Sequence, residues 1–196
     1  GVQTCALPIW LGREYAEFAP RLDALPHPRV AVLIGGKSKS FDLSSERAAR
    51  LSAEICLAIE SERGAILLTY SRRTPEPARD LMTSRLKHLP GEIWDGTSPN
   101  PYFAYLAAAD YILVTEDSTN MAAEAASTGK PVFILKLDGA NLKFRRFHEE
   151  LERMDAARPF GGQLYRWEYE PLNETDRAAR RILRRLQERA AAAPAA

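Results

Sequence analysis

Apolar residues gather in five short runs, at 30–34, 65–70, 92–94, 111–114 and 132–135. Each is too short for a buried helix and rich in β-branched and aliphatic side chains, which is how strands buried on both faces read. Polar stretches with helical spacing separate them. Ala48, Leu51, Ile55 and Ile59 keep one face, with Ser44 or Ser45 and Glu46 as a start signal. A second helix follows Ser71-Arg72-Arg73-Thr74-Pro75 and runs to about Lys87, and a third covers 101–109. The fourth is alanine-rich, stops at Gly129, and gives way through Pro131 to the last strand. Alternation of this kind predicts an α/β domain, a mostly parallel sheet flanked by helices. The domain is expected over 29–190. Residues 10–28, polar and broken by Pro20, Pro26 and Pro28, read as a lead-in from a truncated amino-terminal half. A strongly basic helix is expected at 176–193, and 191–196 reads as a low-complexity disordered tail.

In a parallel sheet every loop that follows a strand emerges on one rim, where open α/β sheets bind ligands. The polar clusters Gly35-Gly36-Lys37-Ser38, Ser71-Arg72-Arg73-Thr74, 95–100, Thr115-Glu116-Asp117-Ser118 and Asp138-Gly139 all fall there. Gly35 and Gly36 let backbone N–H groups approach an anion closely, with Lys37 to complement its charge; a plain strand-to-loop glycine turn is the other reading. The run is not a Walker loop, because residue 31 is alanine. Arg72 and Arg73 offer forks suited to phosphate or an acidic partner, or else sit in a solvated loop. In the fourth unit Asp117 or Ser118 can cap the helix, whose free N–H groups favour phosphate. Asn120, Met121 and Glu124 share a face by their spacing, which places Glu124 to accept hydrogen bonds from vicinal hydroxyls such as those of a ribose. The plainer reading is a capped helix with a surface glutamate.

Composition narrows the classes. The chain has 27 basic and 26 acidic residues, a balance unlike that of a nucleic-acid binder. No apolar run approaches the roughly 20 residues that span a bilayer. The two cysteines, Cys5 and Cys56, cannot make a disulfide framework or a zinc site on their own, so no metal site is expected and a reducing, cytoplasmic setting is. His148-Glu149 lacks the second histidine of a zinc-protease motif, since Glu152 stands there. His27, His88 and His148 have no evident Ser or Cys partner and read as surface or satisfied histidines. The arginines of 176–193 could touch an acidic membrane surface peripherally, or form a solvated or docking face. Residues 1–9 resemble translated sequencing adapter rather than a signal peptide, having no basic start and no long apolar core.

Taken together, Gly35-Gly36-Lys37-Ser38, the Ser71-Arg72-Arg73-Thr74 loop, Trp94 with Asn100-Pro101-Tyr102, Ala109-Asp110, and Thr115 through Glu124-Ala125 to Gly129-Lys130-Pro131 resemble the mitochondrial fission ELM family. Lys143-Phe144 and Phe147-His148-Glu149-Glu150-Leu151 fit as well, and the resemblance covers 28–160. It implies a Rossmann-like fold similar to the carboxyl-terminal, nucleotide-sugar-binding domain of GT-B glycosyltransferases. In that class a Glu-Ala pair followed by Gly-x-Pro marks the donor site. Glu124 matches the ribose-holding glutamate, and Ser118 and Thr119 match the turn facing the diphosphate. The implied ligand is a nucleotide-diphosphate-sugar, taken as substrate with no cofactor. Lys37, Arg72, Arg73 and the helix start at Ser118 would stabilise the departing diphosphate. No catalytic residue is evident, and the base and acceptor domain would belong to an amino-terminal half. The alternative is a non-enzymatic adaptor recruiting protein or membrane partners, the role linked to the plant branch.

Overall fold

The computed structural model describes residues 7–173 and Arg184. In chain order the elements are α1 (Leu7–Leu22), β1 (Arg29–Ile34), β2 (Phe41–Asp42), α2 (Ser45–Ser61), β3 (Ala65–Tyr70), α3 (Glu76–Leu86), β4 (Gly91–Ile93), α4 (Tyr102–Ala108), β5 (Tyr111–Thr115), α5 (Thr119–Ala126), β6 (Val132–Leu135), β7 (Asp138–Gly139), α6 (Leu142–Arg153) and β8 (Arg158–Pro159). The five strands expected from the apolar runs are all present. The basic helix expected at 176–193, Arg184 apart, and the tail at 191–196 lie outside the described residues, as do residues 1–6.

Six strands form one sheet in the order β4-β3-β1-β5-β6-β8, every pair parallel. The chain builds outward from β1 in one direction, then crosses back to β5 and builds outward in the other. Between β1 and β5 the connections leave in opposite senses, which makes these carboxyl ends the switch point of the sheet, the place where such folds form a ligand crevice. Strand side chains alternate between two cores. Val30, Val32, Ile34, Ile66, Leu68 and Leu113 face α2 and α3, meeting Leu51, Ile55, Ile59 and Met82. Ala31, Leu33, Leu67, Ile112, Val114 and Ile134 face α1, α4, α5 and α6, meeting Leu22, Tyr105, Ala122, Ala125, Ala126 and Leu151. The architecture is therefore a three-layer, Rossmann-like α/β fold.

Five elements were not anticipated. The stretch read as a lead-in is helical from Leu7 to Leu22, and its Phe18 and Leu22 are buried against the α4 side of the sheet. Leu11, Tyr15, Phe18 and Leu22 make its apolar stripe. Pro20 sits in its last turn, where the missing N–H removes only one late hydrogen bond. β2 and β7 pair antiparallel as a two-residue ribbon above the rim, and β8 adds a two-residue edge beside β6. Segments this short carry no readable periodicity. α6 is capped by Asn141, whose side-chain oxygen accepts from Lys143 N and Phe144 N. At the opposite, amino-terminal rim the Lys130 ammonium donates to the carbonyls of Leu106 and Ala107, neutralising the end of α4. No helix among the described residues is long and apolar enough to cross a membrane.

Candidate functional site

The parallel sheet brings the loops after β1, β3, β4, β5 and β6 to the same rim. Of these, the loops after β1, β3 and β5 are joined through one carboxylate. Asp117 is fully enclosed, and its Oδ2 accepts from Gly36 N at 3.0 Å and from the Arg73 guanidinium at 2.8 Å. Its Oδ1 accepts from the Thr115 hydroxyl at 2.7 Å, and that hydroxyl accepts from Gly35 N at 2.7 Å. Thr74 donates its hydroxyl to the carbonyl of Gly35 at 2.5 Å, and Ser71 N donates to the carbonyl of Ile34 at 2.8 Å. A strand of valines and leucines stops here because the next residues must leave room. A Cβ on Gly35 would lie 2.1 Å from Asp117 Oδ1, and one on Gly36 would lie 2.5 Å from the carbonyl oxygen of Arg73.

The glycine turn thus admits an anion, but it is the protein's own. Lys37 N donates to the Arg73 carbonyl and Ser38 N to the Phe41 carbonyl, so all four N–H groups of 35–38 have internal partners. The Ser38 hydroxyl accepts from Ser40 N and Phe41 N and shapes the entry to β2. Lys37 is exposed, with Nζ 3.9 Å from Asp42. Asp138, on the same rim, accepts from the N–H and hydroxyl of Ser44 and so supports the cap of α2. In the loop after β4, Asp95 accepts from the N–H and hydroxyl groups of Thr97 and Ser98, which hold its carboxyl far below the ordinary range.

Beside this junction lies a cavity of 320 Å³, lined by Ile34, Thr69, Tyr70, Ser71, Arg72, Trp94, Asn100, Tyr102 and Met121. Its walls are mostly aromatic and apolar, and Arg72 is exposed at its edge. The Trp94 indole N–H donates to the carbonyl of Ser98 at 3.0 Å, and Asn100 Oδ1 accepts from Tyr102 N at 3.1 Å, so the wall is braced by its own loop. On the far side of Tyr102 its hydroxyl donates to Glu124 Oε2 at 2.6 Å. Glu124 is half-buried. Burial raises its carboxyl above the ordinary range and the Tyr102 hydrogen bond pulls the other way; burial also pushes the Tyr102 phenol well up. The helix carrying Glu124 begins at Ser118, whose hydroxyl accepts from Met121 N at 3.3 Å. The N–H groups of Thr119 and Asn120 precede the first intrahelical bonds and take no partner among the described residues.

The residues singled out in the sequence therefore separate into three groups. Gly35, Gly36, Thr115, Asp117, Arg73 and Thr74 form the internal junction. Arg72, Ser71 and Met121 line the cavity, with Glu124 behind Tyr102 and with Ser118, Thr119 and Asn120 at the adjoining helix start. Lys37 and Ser38 stand apart on the β2 side. Tyr102, Trp94 and Asn100, which carry part of the family resemblance and are not among the site residues expected from sequence, supply much of the cavity wall. Their signal was the polar cluster after β4, which runs straight into α4.

A second buried polar group was missed. His148, expected at the surface or fully satisfied, is 2% exposed, donates from Nε2 to the Glu116 carbonyl at 2.9 Å, and has no partner for Nδ1. Glu116 in turn accepts from Lys136 Nζ at 2.9 Å and from Leu137 N at 2.8 Å. Burial lowers the His148 pKa, with Lys136 adding to the effect and Glu116 and Glu152 opposing it. The unfolded histidine gains its proton near pH 6.5, before the folded one does. Stability is therefore full above that pH and is expected to fall as pH drops through it. Acid titration of the unfolding midpoint should show this step in the parent chain and lack it in His148→Gln. His88, also expected to lack a cysteine partner, has Nε2 3.5 Å from Cys56 Sγ.

Comparison with known proteins agrees with the resemblance. The family model described as mitochondrial fission ELM1 matches residues 1–186. The mitochondrial fission protein ELM1 of Arabidopsis thaliana is 35% identical over 170 residues, 85% of this chain and 40% of that protein. The uncharacterized protein RP120 of Rickettsia prowazekii (strain Madrid E) is 34% identical over 164 residues, 79% of this chain and 46% of that protein. The chain thus spans less than half the length of these relatives.

Proposed function

From the premise that the chain belongs to the mitochondrial fission ELM1 family, we propose that it binds a nucleotide-diphosphate-sugar as the donor-side portion of a GT-B-type, glycosyltransferase-like protein. The observation carrying this reading is the aromatic cavity of 320 Å³ beside the switch point of the sheet, with Arg72 at its edge and the start of α5 next to it. A nucleobase stacks on aromatic walls such as Trp94 and Tyr102. The diphosphate then reaches Arg72 and the N–H groups of Thr119 and Asn120, where the helix dipole favours negative charge. Glu124 accepts from the ribose hydroxyls with the oxygen that Tyr102 does not hold. In glycosyl transfer such a field would stabilise the leaving diphosphate. The acceptor and the base are assigned to an amino-terminal domain of the same protein. A cytoplasmic location, with peripheral membrane contact by the basic stretch at 176–193, belongs to the same proposal and rests on sequence.

One observation favours a second reading, an adaptor that keeps the fold without the ligand: the N–H groups of 35–38 are all engaged internally. Calorimetric titration with uridine and guanosine diphosphates and their sugars separates the two. Saturable binding, weakened at least about tenfold in Glu124→Ala by loss of charge-assisted hydrogen bonds, supports the donor site. Absence of binding by the folded chain, with retained capture of protein partners, supports the adaptor. Because burial raises the Glu124 pKa, its carboxylate is lost at a higher pH than an ordinary glutamate on acidification. Affinity is expected to fall with decreasing pH through that raised value, and Glu124→Gln should flatten the dependence.

A further inference from the structure

A cluster of three different metal-ligating side chains lies away from the crevice. Cys56 and Glu60 are four residues apart on α2, so they project from one face of the helix. α3 packs against α2 and ends at Leu86, which brings His88 over the same face. His88 Nε2 is 3.5 Å from Cys56 Sγ and 3.3 Å from Glu60 Oε1, and the three ligand atoms all lie within 4.8 Å of one another. Bond lengths to zinc at tetrahedral angles give edges of about 3.5 Å between sulfur and nitrogen and about 3.4 Å between nitrogen and oxygen. The two observed separations match these edges, and the remaining sulfur–oxygen separation lies within 4.8 Å, close enough for a small side-chain adjustment to close it.

The chemistry of the contact points the same way. One ring nitrogen faces both a sulfur and a carboxylate oxygen, yet it has a single proton or a single lone pair to offer. As a donor it can align well with only one of them; as an acceptor it meets the carboxylate with like polarity. A cation at the centre satisfies all three atoms at once. Cys56 is half-buried while His88 and Glu60 are exposed, which leaves an entry path and room for water.

We propose that Cys56, Glu60 and His88 form a divalent cation site of the zinc class, with a fourth position open to water. The mixed sulfur, nitrogen and oxygen set suits zinc over magnesium or calcium, which take oxygen ligands. As the metal–sulfur bond forms, the thiol releases its proton to solvent. The site ties the second half of α2 to the turn after α3. α2 starts near the carboxyl end of β1 and runs back along the sheet, so the site lies toward the opposite rim from the crevice. Its role is to staple two outer helices, independent of nucleotide binding.

The test uses cobalt(II) as a spectroscopic substitute in the full chain carrying Cys5→Ser, so that Cys56 is its one thiol. One equivalent of cobalt should produce a thiolate-to-metal charge-transfer band with tetrahedral visible absorption, and zinc should displace it. Cys56→Ser should abolish the band, and His88→Ala, a change at an exposed position, should weaken binding at least tenfold. Zinc should raise the thermal midpoint of the parent chain and leave that of His88→Ala unchanged. Absence of the band, its survival in Cys56→Ser, or equal affinity in His88→Ala would overturn the proposal.

Discussion

Asp117→Ala is expected to cost the fold about 3 kcal/mol and to abolish ligand binding at the carboxyl rim. Three donors converge on this carboxylate: Gly36 N, the Thr115 hydroxyl and the Arg73 guanidinium. Removing it strands a buried N–H, which alone costs about 1–3 kcal/mol. The Arg73 side chain is 43% exposed and turns to water, so the loss falls toward the lower end of the about 3–5 kcal/mol seen when a fully buried pair is broken. The functional effect follows from position. Asp117 is the point at which the loops after β1, β3 and β5 meet, and without it Arg72 and the start of α5 lose their common reference. Chemical denaturation of the variant should show a lower midpoint with an unchanged slope.

The second large effect is expected from Gly35→Ala, at about 2–3 kcal/mol, the upper range for overpacking a closed site. The added methyl carbon would sit 2.1 Å and 2.4 Å from the two Asp117 oxygens, and that side chain cannot swing aside because it is enclosed and fixed by three hydrogen bonds. A double-mutant cycle checks the cause. With Asp117→Ala present the methyl has space, so the two costs should be markedly less than additive. Gly91→Ala serves as a contrast, since its Cβ would lie 1.9 Å from the Ile66 carbonyl oxygen on the outer β3–β4 pair. Its cost should add in full to that of Asp117→Ala.

What the sequence revealed and what it hid divide along the range of the interactions. The strands were legible because each is buried on both faces and reads as an unbroken apolar run. The caps were legible to within one residue, as Ser44 or Ser45 and as Asp117 or Ser118, because a cap acts within three residues; the bonds from Arg47 N and Met121 N select Ser44 and Ser118. The stripe of Leu11, Tyr15, Phe18 and Leu22 was equally readable, but Pro20 outweighed it, although a proline in a last turn breaks little. Pairings set by topology were not readable. Gly36 and Asp117 were both marked as site residues, yet nothing in their spacing of 81 residues says that one binds the other. Tyr102 meets Glu124 only because α4 and α5 lie on the same face of the sheet. His148 is paired with a main-chain carbonyl on β5's loop, a partner that no side-chain motif announces.

The most direct measurement of the central claim is a residue-resolved amide spectrum of the isotope-labelled chain, titrated with uridine diphosphate and guanosine diphosphate. The expected result is saturable shifts confined to Ser71, Arg72, Trp94 with its indole, Asn100, Tyr102, Thr119, Asn120, Met121 and Glu124, with Lys130 and Cys56 unmoved. Spectra unchanged at saturating nucleotide, or shifts centred on Asp110 and Lys130 at the opposite rim, would contradict a nucleotide site at the carboxyl rim of this sheet.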